Sequence, residues 1–404
     1  MHEKPHQARK RLVIGAVAAL LALLPLLPGS GSAQSGTQLL VDDAETANSA
    51  LVAVDVADPS GLGVSGLTLQ APEGYEVSVI AAGLERPRFM TFDDAGNLLV
   101  AESGAGQVVR FPYADGVLGE GEVLASGLEQ PSNVALFTDG DQEYLYVSEP
   151  QQISRFAYEP AGPVGAQQAI VTGLPTGGHS TRTVHFGPDG MLYLAVGSSC
   201  NICVEEDPIR ATVSRMTPQG GNPEILATGL RNPVDLAFQP GTNLLWATVN
   251  ERDNQGNELP PDLVTIVQEG ANYGWPYCLP PDATPQESGA DCSNITPPTV
   301  GIQPHSAPLG MTFLAGDAVP SDLRGDLIVA QHGSWNREPP AAPKLLHIDF
   351  TDGKPVAATD FVTGWQDAAG ERWGRPAGVT LAPDGSLIVS DDLSGYIYRV
   401  ASAG

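Results

Sequence analysis

The sequence predicts an all-β fold, a six-bladed β-propeller with four-stranded antiparallel blades whose last blade is closed by an N-terminal strand. Short alternating apolar runs broken by Gly, Pro and Asp fill the chain from Tyr75 onward, and helix-period stripes are nearly absent. One unit recurs in phase, beginning at Arg86, Gln130, Thr181, Arg231, Ala307 and Arg375. Each unit reads as an apolar strand, a turn usually holding Asp and Gly, a second strand and a polar loop, and most then show a third strand. A spacing of roughly 55 residues fits blades arranged around an axis. Six in-phase repeats argue against a β-sandwich pair.

Taken in order, residues 1–33 carry Lys4, Arg9, Lys10 and Arg11, an apolar run broken by Pro25 and Pro28, and small residues ending at Ala33. This is the pattern of a secretory signal, so the expectation is an exported protein, periplasmic or extracellular. Pro25 and Pro28 leave the apolar run too short for a comfortable span, which argues against stable membrane insertion. Residues 34–72 are small, acidic and aperiodic and read as a flexible lead-in. The propeller is expected over 73–404. Its last unit ends near Val400 with three strands, and the run from Tyr75 supplies the missing fourth, which would close the ring and remove two exposed edges.

Antiparallel order places the loop entering each first strand and the loop joining the second and third strands on one face. Those loops hold Arg86, Arg88, Asn133, His179, Arg182, Arg231, Asn232, His305, Arg372 and Arg375 on entry. Between second and third strands they hold Glu102, Glu149, the segment from Ser198 to Cys203, Asn250 to Asp253, His332 to Arg337, and Asp391 with Asp392. The opposite face receives short turns at Asp94, Asp139, Asp189 and Asp384. The formal net charge is −27 with only 20 Lys and Arg, so nucleic acid is excluded as a partner and a ring of arginines is informative. Such a ring suits a multiply anionic ligand.

Four cysteines in an exported chain favour two disulfides, most simply Cys200 with Cys203 and Cys278 with Cys292; zinc held by all four is the alternative. The oxygen-rich segment from Asn250 to Asp262 would suit a hard cation such as calcium.

GLRNPVDLAF from Gly229, followed by DLVTIVQEGANYGWPYC from Asp262, resembles the signature of the soluble glucose and sorbosone dehydrogenases. GGHSTRTVHFGPDG from Gly177, VGSSCNICVEED from Val196, QHGSWNR from Gln331 and GRPAGVTLAPDG from Gly374 resemble the sorbosone dehydrogenase-like branch. The likeness runs from about Gly74 to Val400. It implies a six-bladed propeller using pyrroloquinoline quinone (PQQ) and calcium to oxidise an aldose or related sugar, with electrons passed to an external acceptor, a cytochrome or quinone.

The resemblance makes His179 the general base and Arg231 and Asn232 the pair on the quinone side of the cofactor. Arg88, His332, Arg337 and Arg375 would hold the three PQQ carboxylates, with Trp335 and Arg372 beside them. The backbone of Asn250, Glu251 and Arg252 would offer carbonyl oxygens to calcium. Tyr273, Gly274 and Trp275 fit an element with a blade-packing role as well supported as cofactor contact. The chain departs from the glucose enzymes where they orient the base with aspartates. Gly178 and, approximately, Ser198 stand in those places, and Glu205, Glu206 or Asp207 are candidate substitutes. The glucose enzymes' lysine near the cofactor is also missing, so preference for glucose does not carry over. Two other functions fit the scaffold, a calcium-dependent lactonase-type hydrolase and a non-enzymatic binding propeller.

Overall fold

The computed structural model describes residues 39–40 and 50–403, so the expected signal segment lies outside the described residues. Among the described residues there is no helix, hence none long and apolar enough to cross a membrane.

Six antiparallel sheets follow one another along the chain. The first contains Pro87–Phe92, Asn97–Glu102, Gln107–Ala114 and Glu122–Ser126, and the second Asn133–Asp139, Gln142–Ser148, Gln152–Ala157 and Gln168–Thr172. Arg182–Phe186, Leu192–Val196, Thr212–Met216 and Glu224–Thr228 form the third; Asn232–Phe238, Leu245–Asn250, Asp262–Ile266 and Val300–Ile302 form the fourth. The fifth is Pro308–Phe313, Leu327–Gln331, Lys344–Thr351 and Lys354–Val362. The sixth takes Pro376–Leu381, Leu387–Asp391 and Tyr396–Ser402 from the end of the chain, and its outer strand is Tyr75–Ala81. Val400 pairs with Val77 and Tyr398 with Val79 across this closure. The predicted propeller and its closing strand are therefore both present.

Period-2 patterning explains the packing between blades. Leu99, Ala101 and Val108 of the first blade meet Leu145 and Val147 of the second, and the same kind of contact recurs around the ring. Phe89, Val234, Leu309 and Ala377, each near the start of a first strand, form a separate buried apolar group. They lie one or two residues further along their strands than Arg88, Asn232 and Arg375, and so floor the polar mouth with apolar side chains.

Two expectations change. Residues 51–72 are not a structureless lead-in. Leu51–Asp55 and Thr68–Pro72 form a hairpin, Leu69 and Ala71 are fully buried among Phe361, Val362 and Trp365, and Gln70 exchanges two backbone hydrogen bonds with Thr363, of 2.8 and 2.9 Å. The alternation of Leu69 and Ala71 with polar neighbours is a strand signal diluted by the small residues before it. The first-blade turn is organised by Asp93 rather than Asp94: its carboxylate accepts the backbone N–H groups of Ala95 and Asn97 at 3.0 and 2.7 Å.

Candidate active site

The loop 174–181, which presents His179, is held from beneath by two arginines. Arg182 is fully buried and donates to the carbonyls of Pro175, His179 and Thr181 at 2.7–2.9 Å. Arg210 donates to those of Thr176, Gly177 and Gly197 at 2.6–3.2 Å. Burial, with Arg210 nearby, pushes Arg182 down to about 10. Gly178 has φ +62°, and a Cβ there would strike the Ser199 backbone, so the turn requires glycine.

His179 Nδ1 lies 3.0 Å from both the carbonyl oxygen and the hydroxyl of Ser198. The carbonyl can only accept, and the hydroxyl donates its proton to Cys200 O at 2.8 Å. Nδ1 therefore carries the hydrogen and Nε2 the lone pair. The residue in the expected aspartate's place thus anchors the ring without a carboxylate. Glu205 instead accepts the Ser199 backbone N–H at 2.7 Å and Asp207 that of Ile209 at 3.1 Å, so neither orients the imidazole. Burial and the Arg231 charge push His179 down to about 4, against the Ser198 hydrogen bond.

Arg231, 2% exposed, uses all five donors. Nε and Nη2 reach Asn201 O and Oδ1 at 3.1 and 3.0 Å, Nη1 reaches Asn250 O and Glu251 O at 3.2 and 2.6 Å, and Nη2 pairs with Asp253 at 2.7 Å. The result is a fixed charge that cannot rotate without breaking several bonds. Asn232 donates to Asn250 Oδ1 at 3.2 Å, while its own Oδ1 is buried without a hydrogen-bond partner among the described residues. A buried orphan acceptor is uncommon and marks a place for a ligand donor. Gly197 beside it leaves no room for a Cβ, which would collide with Asn232 Oδ1 and the His179 side chain.

These groups share a cavity of about 200 Å³ lined also by Asn250, Glu251, Asp253, Asp262, His305, Trp335 and Asn336. Trp335 is 74% exposed at its mouth. The Asn250 and Glu251 carbonyls accept from Arg231 on residues that line the cavity, and oxygen donors of this type fit calcium. The Arg252 side chain points away into the protein, paired with Glu251 at 2.6 Å and with Cys278 O at 2.7 Å. Asp262, which sequence reasoning did not single out, accepts the backbone N–H groups of Glu251 and Ala307 at 2.7 and 2.9 Å, and burial raises it to about 7 against those bonds. It fixes the carbonyl loop, and in the sequence it stands only as the last oxygen donor of the segment from Asn250, at the head of a strand. Asn336, also missed, donates to Asp253 at 3.0 Å.

The remaining predicted residues gather beside this cavity rather than in its wall. Asp392 bridges Arg88 and His332, each at 2.7 Å. Burial drives His332 down to about 4 against the pull of Asp392. Burial also opposes ionisation of Asp392, but the bonds from His332 and Arg88 outweigh it and hold this carboxyl below the usual range. Arg375 donates to the carbonyls of His332 and Gly333 at 2.9 and 3.2 Å, and Arg372 to that of Ser334 at 2.6 Å. Arg337 faces Glu258 at 3.2 Å. Arg88, Arg231 and Arg337 thus already have carboxylate partners, while Arg372 and Arg375 make no ion pair among the described residues. Two guanidiniums outside any ion pair among the described residues and the tight approach at Gly197 fit a flat polyanion such as PQQ, with the Asn232 acceptor free for a donor group on it.

Both disulfides form as expected, Cys200–Cys203 and Cys278–Cys292, which removes four-cysteine zinc binding. Tyr273 is 3% exposed and accepts the Gln268 backbone N–H at 3.1 Å, a packing role, while Trp275 Nε1 donates to Asn201 O at 3.0 Å.

A neutral, anchored histidine and a fixed guanidinium thus meet at the mouth of a closed propeller. The chain belongs to the TrAA12-like family, whose model matches residues 69–288 and 280–403. The resemblance to soluble PQQ-dependent sugar dehydrogenases holds among its relatives. A PQQ-dependent pyranose dehydrogenase of Coprinopsis cinerea is 28% identical over 405 residues, covering 82% of this chain and 54% of that protein. Aldose sugar dehydrogenase YliI of Escherichia coli is 26% identical over 253 residues, 56% of this chain and 61% of that one. The chain thus spans about half the length of the first and three-fifths of the second. The fold matches the holo PQQ domain of the C. cinerea pyranose dehydrogenase with a TM-score of 0.73 at 24% identity, covering 85% of this chain and 99% of that one. It matches a calcium structure of the Trichoderma reesei family AA12 enzyme with a TM-score of 0.74 at 21% identity, covering 86% and 100%.

Proposed function

We propose that the chain is an exported PQQ- and calcium-dependent dehydrogenase that oxidises an aldose or related sugar and passes the electrons to an external acceptor, a cytochrome or quinone. The observation that carries this reading is the tautomer of His179. With Nδ1–H anchored on Ser198, a residue that lines the cavity keeps on Nε2 a lone pair able to take a proton from a sugar hydroxyl.

Bound PQQ would supply the hydride-accepting quinone, and the protein the positioning and electrostatics. Arg231 would place its fixed charge where negative charge develops on the cofactor's oxygen, and the unpartnered Oδ1 of Asn232 would accept a hydrogen bond from a donor group of the ligand. Arg372 and Arg375, with Arg88, His332 and Arg337, would hold the carboxylates, and the Asn250–Arg252 backbone the calcium. Trp335 would cover the mouth. A polyanion bound here would raise the His179 pKa from about 4 toward neutrality, because nearby negative charge favours the imidazolium. Binding would thus make the base stronger.

Adding an aldose anaerobically to the PQQ- and calcium-loaded protein should convert the cofactor's absorption spectrum to that of the reduced form. An unchanged spectrum across a broad sugar panel would overturn the proposal.

A further inference from the structure

We infer that Asn201, at the tip of the Cys200–Cys203 loop, is the positioning residue that locks the Arg231 guanidinium at the site; its catalytic consequence rests on the proposed function. Asn201 meets Arg231 twice, its main-chain oxygen accepting from Nε at 3.1 Å and its Oδ1 from Nη2 at 3.0 Å. It also grips the other partner of that guanidinium. Oδ1 accepts the Asp253 backbone N–H at 2.8 Å, and Nδ2 donates to Asp253 O at 2.9 Å. Asp253 in turn pairs with Arg231 Nη2 at 2.7 Å. One side chain therefore sets both the cation and its carboxylate.

The loop is built to hold this residue still. Cys200 and Cys203 are disulfide-bonded on either side of Asn201 and Ile202, so the turn is covalently closed. Cys200 O accepts from the Ser198 hydroxyl, which ties the same turn to the residue that anchors His179. Trp275 Nε1 donates to Asn201 O at 3.0 Å and fixes the carbonyl from outside. The loop thus links the base's anchor to the cation's clamp within four residues.

An arginine held by neutral oxygens at Nε and Nη1, and by Asn201 and Asp253 together at Nη2, keeps its direction when a ligand enters. Such preorganisation is what makes a fixed charge effective in catalysis. Removing the Asn201 side chain leaves Nη2 with Asp253 alone and takes two bonds from the Asp253 backbone, so the guanidinium gains freedom to follow that carboxylate, whose side chain is 23% exposed and otherwise held by Asn336.

The test compares wild type, Asn201→Ala and Asn201→Asp, the last keeping an acceptor at Oδ1. In the apoprotein, hydrogen exchange of the Arg231 Nη2 hydrogens, assigned by their loss in Arg231→Lys, should become roughly tenfold faster or more in Asn201→Ala. With PQQ, calcium and sugar, kcat should fall roughly ten- to a hundredfold with sugar KM within about twofold, at an unchanged melting temperature. Asn201→Asp should recover most of both. Unchanged exchange, or faster exchange with unchanged kcat, overturns the inference. A wild type that neither binds PQQ nor turns over sugar sinks the functional reading instead, and the exchange measurement still decides whether Asn201 holds Arg231. If Asn201→Ala melts early, Asn201→Asp alone decides: wild-type exchange and kcat support the clamp, and a deficit as large as that of the alanine variant overturns it.

Discussion

The Nδ1 of His179 is anchored by Ser198 through both a backbone carbonyl and a hydroxyl, each at 3.0 Å, and by no carboxylate. An imidazole held by neutral oxygens gains little help in becoming charged. Burial and Arg231 then push it down to about 4, so in the apoprotein His179 should titrate near that value by NMR. Since its native pKa lies below the ordinary 6.5, the unfolded chain takes up this proton first. The stability from the neutral ring is present above 6.5 and is lost as pH falls from there toward about 4. In the loaded enzyme the acid limb of kcat should fall between these two values. Ser198→Asp should move it upward, because an adjacent carboxylate favours the imidazolium.

Replacing Arg231 by lysine should damage structure and function together. The ammonium cannot reproduce five bonds in a planar fork, so the carbonyls of Asn250, Glu251 and Asn201 lose their shared donor. A loss of about 2–4 kcal/mol in denaturant unfolding is expected. PQQ affinity measured by tryptophan fluorescence should weaken as well.

Asp392 should behave as a buried hub. Asp392→Ala strands Arg88 and His332, whose side chains are 11% and 14% exposed, and is expected to cost about 3–5 kcal/mol at pH 7. The native carboxyl is held below its ordinary 3.8 by His332 and Arg88 against burial. Its contribution is therefore complete above that value and lost as pH falls below it, so the gap between variant and wild type should narrow only in strong acid.

The closing strand carries the ring. Deleting residues up to 82 would leave Tyr396–Ser402 as an unpaired edge and uncover Tyr398 and Val400, which are buried beneath Val79 and Val77. Size-exclusion chromatography should show aggregation, since a long apolar edge recruits other chains.

The propeller was legible because each blade repeats a strand pattern of period two with a turn signal, and because three strands at the end of the chain needed a fourth. His179, Arg231, Asn232, Asn250, Glu251 and Trp335 come together as their loop positions imply. What lay hidden has a common cause. Arg88 and Asp392 are 304 residues apart, and the anchor of His179 is partly a main-chain oxygen that no residue type announces. Asp262 acts on backbone groups, and Asn201 holds Arg231 partly through its own main-chain oxygen, so their identities alone do not mark them. The hairpin over 51–72 was concealed by small residues whose alternation gains meaning only once Trp365 and Phe361 cover them.

The central claim is tested most directly by titrating purified apoprotein with PQQ in the presence of calcium and recording sugar-dependent reduction of an artificial dye. The account predicts activity that saturates at about one PQQ per chain and disappears in His179→Ala while PQQ affinity is largely kept. Dye reduction that is absent across a broad sugar panel, or that survives unchanged in His179→Ala, would contradict it.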